Sequence, residues 1–211
     1  YEVNDVTGEL TPVTFSWLKK DEKMPFEMIA NETRISMHSL VLKTSILKEN
    51  QIRLDEHCFY VDVEYILYPI PYVQSVIYFD IFVYMYRLAQ VNQSVSMLGY
   101  QKHMQNHIDV ILHVLDYINA YKEKDDCDKL KEVYMERRIA EMTHNQVDVF
   151  TSFPVGDKEI QRKFKEFDAE VKAKSPYVYE KSGEFSGMLR LLRKTGFRFY
   201  SLIVRMSKVR N

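Results

Sequence analysis

Histidines and acids with metal-ligand spacing are the first groups in the sequence that could do chemistry. His103 and His107 lie four residues apart on a predicted helix, a spacing that can place two imidazoles on one metal ion. The run 55–58 (Asp-Glu-His-Cys) adds potential ligands, and Glu141 with His144 forms one Glu-x-x-His pair, which di-iron carboxylate bundles use twice. Because this ligand set is incomplete, we predict no metal and no cofactor. A metal-dependent enzyme around His103 and His107 is kept as a second alternative.

Groups for nucleophilic or phosphate chemistry are not recognisable in the sequence. It contains neither a Gly-x-Ser-x-Gly elbow nor a glycine-rich phosphate loop, and only 6 of its 211 residues are glycine. Cys58 begins a predicted strand, where a thiol is usually a small buried hydrophobe. Asp80 stands alone in an apolar predicted helix, and we expect it on the exposed edge of that helix or paired with Arg87. The sequence therefore favours a protein without catalytic residues.

A basic segment at the C-terminus is the strongest functional signal. Residues 185–211 carry 7 basic side chains and no acid. Arginine and lysine neutralise phosphates, and aromatic faces stack on unpaired bases, so this composition predicts an RNA- or phosphate-binding surface. The same composition suits an anionic membrane surface or an acidic protein groove, or a last core helix with a solvated charged side. The candidate binding residues are Arg190, Arg193, Lys194, Phe197, Arg198, Phe199, Arg205, Lys208 and Arg210.

A narrow apolar stripe in a charged helix is the second candidate site. The stripe consists of Ile160, Phe164, Phe167 and Val171. Such a stripe most often packs on its own domain, and becomes an interface if the core is closed without it. We list these four residues as a candidate protein interface.

The first third of the chain, which would supply the sheet, shows the period-two pattern of strands. Apolar and polar residues alternate over 13–17, and more clearly over 59–67, where Phe59, Val61 and Val63 share one face. Residues 35–47 suit either a strand or a short helix. The change of period falls near Pro69 and Pro71. We predict a strand-rich part over 1–70 with an antiparallel sheet.

Helical periodicity dominates the rest of the chain. Residues 76–91 are apolar on most sides, as in a buried helix, and two apolar stripes run along 104–121. A charged break at 122–128 precedes a polar helix over about 128–143. Asp157 is placed to cap the next helix, Pro176 to end it, and Gly196 to divide the last segment. Strands followed by helices predict an α+β fold in a single domain, 1–211, with the helical part at 73–209.

Composition and charge limit the function classes. Apolar residues make up 46% of the chain, so it can bury a core, and its net charge of −1 gives no overall attraction to nucleic acid or membrane. Two cysteines form no disulfide framework, which favours an intracellular protein of the cytoplasm or nucleus with reduced thiols. The apolar stretch 65–86 contains two prolines and six tyrosines, so we expect no membrane span.

The 27 phenylalanine and tyrosine residues suggest the function that the sequence favours most. Aromatic side chains bury large areas and suit interfaces. We predict a non-enzymatic protein-interaction or assembly module that self-associates through an aromatic and Met-rich surface. RNA or phosphate binding through the basic segment is the alternative.

Overall fold

Long helices occupy the second half of the chain, and short strands and helices share the first half, in the computed structural model of the protein. The structure describes residues 1–31, 34–88, 94 and 96–210, with only the backbone at 207, 209 and 210. The fold class is α+β, as predicted.

The strands form two small sheets. The three-stranded sheet has the order β2–β1–β5, with β1 antiparallel to β2 and parallel to β5. A separate antiparallel pair joins β3 to β4. The sheets are therefore antiparallel except for one pair, and two of the five strands lie beyond residue 70. The strands are β1 (Glu2–Asn4), β2 (Leu10–Thr11), β3 (Lys23–Pro25), β4 (Ser75–Ile77) and β5 (Tyr86–Leu88).

In the described part of the first half, the other elements are four short helices and two 3-10 turns. They are α1 (Glu27–Ala30), α2 (Thr44–Glu49), α3 (Asp62–Leu67) and α4 (Met97–Lys102), with 3-10 turns at Met37–Ser39 and Ile70–Tyr72. The ambiguous segment 35–47 is thus a 3-10 turn followed by the start of α2, and not a strand.

Six helices follow, and their ends agree with the capping signals of the sequence. They are α5 (Met104–Lys122), α6 (Lys129–Ser152), α7 (Lys158–Lys174), α8 (Pro176–Phe185), α9 (Gly187–Lys194) and α10 (Tyr200–Arg210). The Asp157 carboxylate accepts the amide hydrogens of Glu159 and Ile160 at 3.0 and 3.1 Å, which confirms the predicted cap. The break at 122–128 is also confirmed, but α6 extends nine residues beyond the predicted end at 143, to Ser152.

The centre of the core is built by helices α5 to α8. Helices α5 and α6 are antiparallel, because His107 contacts Gln146 near one end and Lys122 contacts Glu136 near the other. Helices α7 and α8 pack on this pair. Of the twelve largest fully buried side chains, only Phe26 and Leu67 precede residue 104. The helical half therefore closes most of the core by itself.

Strands occur in the first third as predicted, but the two strands placed at 13–17 and 59–67 are wrong. Residues 62–67 form helix α3, and Glu64, which the alternation would place on the exposed face, is buried beside Ile66 and Leu67. Apolar residues at 63, 66, 67 and 70 also fit a helical period, and burial against α5 selects that alternative. Residues 13–17 form a loop and a turn in which Val13 and Trp17 are exposed and Phe15 is half-buried, so their alternation is not that of a strand.

The buried helix predicted for 76–91 is wrong as well. Within its described part, 76–88, the chain forms the end of β4, a loop and β5, and most of the apolar side chains of that loop are exposed. Residues 89–91 lie outside the described residues. A segment that is apolar on most sides predicts a buried helix, but the described part of this one lies largely at the surface.

Truncating Phe164 should distinguish a core residue from a surface residue. Phe164 is fully buried and stacks on Phe150 at 4.7 Å between ring centroids, so Phe164→Ala should lower the free energy of unfolding by about 3–5 kcal/mol. The matched control is Phe199→Ala, since Phe199 is exposed and its loss should change stability by no more than about 0.5 kcal/mol. Urea unfolding followed by circular dichroism measures both, and equal losses would contradict this core.

Candidate functional site

The basic segment folds into helices α9 and α10, joined at Gly196. Gly196 has a φ of +58°, a left-handed conformation that favours glycine, and it divides the segment as predicted. Leu189 and Leu192 on α9, with Ile203 and Val204 on α10, face the core. The segment is therefore a pair of core-packed helices whose outer side carries most of the charge.

Arg193 belongs to the interior and not to this outer side. Its guanidinium pairs with the buried carboxylate of Asp168 at 2.7 Å, lies over the ring of Tyr179, and donates a hydrogen bond to Ser182. Burial raises the pKa of Asp168, and the hydrogen bonds from Arg193 act in the opposite direction. Breaking such a pair would leave a charge buried without a partner. Arg193 is thus a structural residue that attaches α9 to α7 and α8.

The other basic residues present an exposed face. Arg190, Lys194, Arg198 and Arg205 are exposed, while Lys208 donates to the carbonyl oxygens of Ser152 and Phe153. Of the two candidate phenylalanines, Phe197 is buried and Phe199 is exposed. The side chain of Arg210 lies outside the described residues. Exposed Leu202 and Met206 continue the row begun by Phe199, at spacings of three and four residues on the outside of α10.

The candidate interface stripe on α7 lies in the chain's own core. Ile160, Phe164, Phe167 and Val171 are all buried, and Phe164 contacts the rings of Phe150, Phe197 and Tyr200. These side chains therefore offer no free surface to a partner in this conformation.

His103 and His107 are not brought together with other metal ligands. His107 is buried, and its Nδ1 atom lies 2.8 Å from Oε1 of Gln146. Burial lowers the pKa of His107 to about 4, so the imidazole is neutral at pH 7. The ring of His103 stacks on Phe59 at 3.7 Å. Among the described residues, neither histidine belongs to a group of three potential ligands.

Asp80 and Cys58 also have structural surroundings. Asp80 lies in a loop, where Lys20 pairs with it and the hydroxyl of Tyr78 donates to it at 3.0 Å. Its predicted partner, Arg87, pairs instead with Asp5. Cys58 is half-buried, and burial together with the carboxylate of Asp55 raises the pKa of its thiol, which makes it a poor nucleophile.

A run of exposed apolar residues between β4 and β5 is the most unusual feature of the surface. We name residues 79–85 the apolar loop. All its residues except Asp80 are large and apolar or aromatic, and Ile81 and Val83 are 67% and 74% exposed. Scattered exposed hydrophobic residues are normal, but monomeric proteins rarely expose contiguous apolar patches larger than a few hundred Å². Such a patch is typical of an interaction site.

The side chains of the apolar loop alternate between two sides. Phe82 stacks on Tyr1 at 4.1 Å, and Tyr84 stacks on His38 at 5.2 Å, so the even-numbered aromatic rings are held by the protein. The odd-numbered residues are the more exposed of the two sets. We call them the outward row, and they are Phe79, Ile81, Val83 and Met85. This period of two is that of an extended strand with one free face.

The backbone of the apolar loop makes few hydrogen bonds to the described part of the chain. The N-terminal ammonium of Tyr1 donates to the carbonyl oxygen of Tyr84 at 3.0 Å. Residues 79–83 and Met85 make no backbone hydrogen bond to any other described residue. Apolar side chains with unpaired backbone groups are the elements of β-strand addition.

Comparison with protein-family models, with curated proteins and with solved structures gave no match. The chain's own geometry therefore carries the functional argument. Of the described helices, none is both long and apolar enough to cross a membrane.

The sequence carries one signal for the apolar loop that the helical interpretation does not use. Its β-branched and aromatic residues favour a strand, whereas the lack of a polar side favoured a buried helix. An exposed apolar loop breaks the rule that apolar residues are buried, and sequence rules fail most often at functional sites.

The neutral state of His107 makes stability depend on pH. The pKa of about 4 in the folded state is below the ordinary value of 6.5, so the unfolded chain binds the proton first as pH falls. Wild-type protein should lose about 3 kcal/mol from this group between pH 7 and pH 4. His107→Gln should remove that part of the loss in urea titrations at the two pH values.

The matched control for this measurement is His103→Gln. That imidazole is partly exposed and stacks on Phe59, so its removal should keep the wild-type pH dependence. The same pH dependence in wild-type protein and in His107→Gln would contradict the assignment.

Proposed function

We propose that the protein is a non-enzymatic assembly module that self-associates through the apolar loop. Two copies pair their outward rows, and the partner of this surface is a second copy of the same chain. The observation that carries the proposal is the exposed outward row on a segment, residues 79–83, whose backbone makes no hydrogen bond to another described residue.

The side chains of the outward row supply the affinity. Burying apolar surface contributes about 25 cal/mol per Å², and aromatic and Met residues are enriched at protein interfaces. The outward row provides such an apolar surface, and a flat apolar partner would cover it. The row consists of Phe79, Ile81, Val83 and Met85. A second outward row has the same shape and chemistry.

The backbone supplies the geometry of pairing. An extended segment can pair with its own copy across a two-fold axis, since an isologous contact joins the same patch on both subunits. Antiparallel pairing of two apolar loops would place apolar residues opposite one another and satisfy the free amide and carbonyl groups.

Charge does not oppose the association of two copies. The net charge is −1, and proteins near zero net charge associate more readily than highly charged ones. The apolar loop contains one acid, Asp80, and Lys20 already pairs with it. Two loops can therefore approach without facing unpaired like charges at this position.

A charge placed in the middle of the outward row should separate the copies. Wild-type protein should have about twice the chain mass of 25.2 kDa in light scattering at micromolar concentration. Val83→Asp should give the mass of one chain, because each interface would bury two unpaired carboxylates. Its circular dichroism should be unchanged, since Val83 is 74% exposed.

Val41→Asp is the matched control for this experiment. Val41 is 92% exposed and lies outside the apolar loop, so the same substitution should leave the dimer intact. A wild-type protein with the mass of one chain, or a Val83→Asp variant that remains a dimer, would contradict the proposal.

The exposed face of α9 and α10 supports a second candidate function, the binding of single-stranded RNA. Arg190, Lys194, Arg198 and Arg205 can neutralise phosphates, and exposed Phe199 can stack on a base. The interior position of Arg193 excludes it from this face.

Salt dependence tests the RNA-binding candidate. Changing Lys194, Arg198 and Arg205 to Glu should weaken binding to a single-stranded oligonucleotide and reduce the slope of log K against log salt by about 2. The control changes three exposed basic residues of the other half, Lys43, Lys48 and Arg53, to Glu, and so alters the net charge equally. Equal losses in both variants, or no binding by wild-type protein, would contradict this function.

A further inference from the structure

We propose that Asp55, Glu64 and His113 form a binding site for a divalent transition-metal ion of the Zn²⁺ class. Three segments supply these residues: the loop before α3, helix α3 and helix α5. One potential ligand atom from each residue lies within 4.8 Å of the other two. The site does not include the apolar loop, and the inference does not depend on the proposed self-association.

Hydrogen bonds already hold the three groups close together. The imidazole Nδ1 of His113 lies 2.6 Å from a carboxylate oxygen of Asp55. The amide hydrogen of Asp55 is donated to Oε2 of Glu64, with 2.9 Å between nitrogen and oxygen. Two carboxylates and an imidazole are thus assembled before any ion binds.

The buried carboxylate of Glu64 is the observation that points to a cation. Glu64 has no exposed surface, and its Oε1 atom receives no hydrogen bond within the described part of the chain. A buried carboxylate oxygen without a partner is costly, and burial also raises the pKa of Glu64. A bound cation would supply the charge that this oxygen lacks.

The neighbouring charges are acidic as well. Neither Asp55 nor Glu64 pairs with a lysine or arginine among the described residues. Burial raises the pKa of the Cys58 thiol, and the negative charges of Asp55, Glu64 and Asp109 raise it further. Only His113 can contribute positive charge to the cluster itself.

The donor set selects the class of ion. Imidazole nitrogen with carboxylate oxygen suits Zn²⁺ and related transition metals, whereas Mg²⁺ and Ca²⁺ prefer oxygen ligands alone. Three protein ligands leave a fourth position of a tetrahedral ion for water. Asp55 and His113 are both partly or fully exposed, so the ion and that water can reach the site from solvent.

Binding of the ion also has a proton balance. When His113 donates Nδ1–H to Asp55, that proton must leave if the same nitrogen is to bind the ion.

Zinc content and thermal stability test the site in the whole chain. After removal of metal with a chelator, wild-type protein dialysed against ZnCl₂ should hold one ion per chain. At a free Zn²⁺ concentration a hundredfold above the dissociation constant, its Tm should rise by roughly 5–10 °C. CaCl₂ at the same concentration should produce no comparable rise.

Three variants identify the ligands. His113→Gln and Glu64→Gln should each lower bound zinc at least tenfold and remove the Tm rise. His57→Asn removes an imidazole from the same loop, outside the cluster, and should keep both. If the Glu64→Gln variant does not fold, the His113→Gln variant tests the site by itself, because His113 is exposed and its substitution should not disturb the core.

Two results would overturn the proposal. One is a wild-type protein that holds no zinc and shows no zinc-dependent rise in Tm. The other is zinc binding that His113→Gln retains unchanged. A rise with Ca²⁺ but not with Zn²⁺ would also overturn it, because it would remove the imidazole from the ligand set.

Discussion

The closed core of helices α5 to α8 is the constraint on which the rest of the structure depends. Ten of the twelve largest fully buried side chains come from residues after 104, and they fill the space between helices joined by short, capped connections. Phe26 and Leu67 are the two exceptions, and they pack with α1 and α3 against this core. Met24, Ile29 and Ile66 of the first half are buried as well, whereas most side chains of the apolar loop remain exposed.

The same closure decides which candidate residues are free. In this core the apolar stripe of α7 is buried, with Phe164 fully so, and the side chain of Arg193 points inward and pairs with Asp168. The closed core leaves the outer side of α10 and the apolar loop in solvent. The two surfaces differ in chemistry. The outer side of α10 combines Arg198 and Arg205 with exposed apolar side chains, whereas the apolar loop has a single acid, Asp80, which pairs with Lys20. The apolar loop therefore carries the proposed function.

The sequence predicted the helical half well because local rules determine it. The stripes of α5, the cap at Asp157 and the division at Gly196 each depend on residues close in the chain. The first half could not be predicted in this way, because tertiary contacts choose between two periods: burial against α5 makes 62–67 a helix although it alternates. The cluster of Asp55 and His113 joins residues 58 positions apart, and no local pattern predicts such a meeting.

Hydrogen–deuterium exchange of the apolar loop at two protein concentrations tests the central claim most directly. Without a partner, the amides of residues 79–83 have no hydrogen bonds to other described residues and should exchange rapidly. If two copies pair through this loop, its exchange should slow at high concentration, while exchange around Val41 should be the same at both. Rapid exchange of residues 79–83 at every concentration would contradict the account.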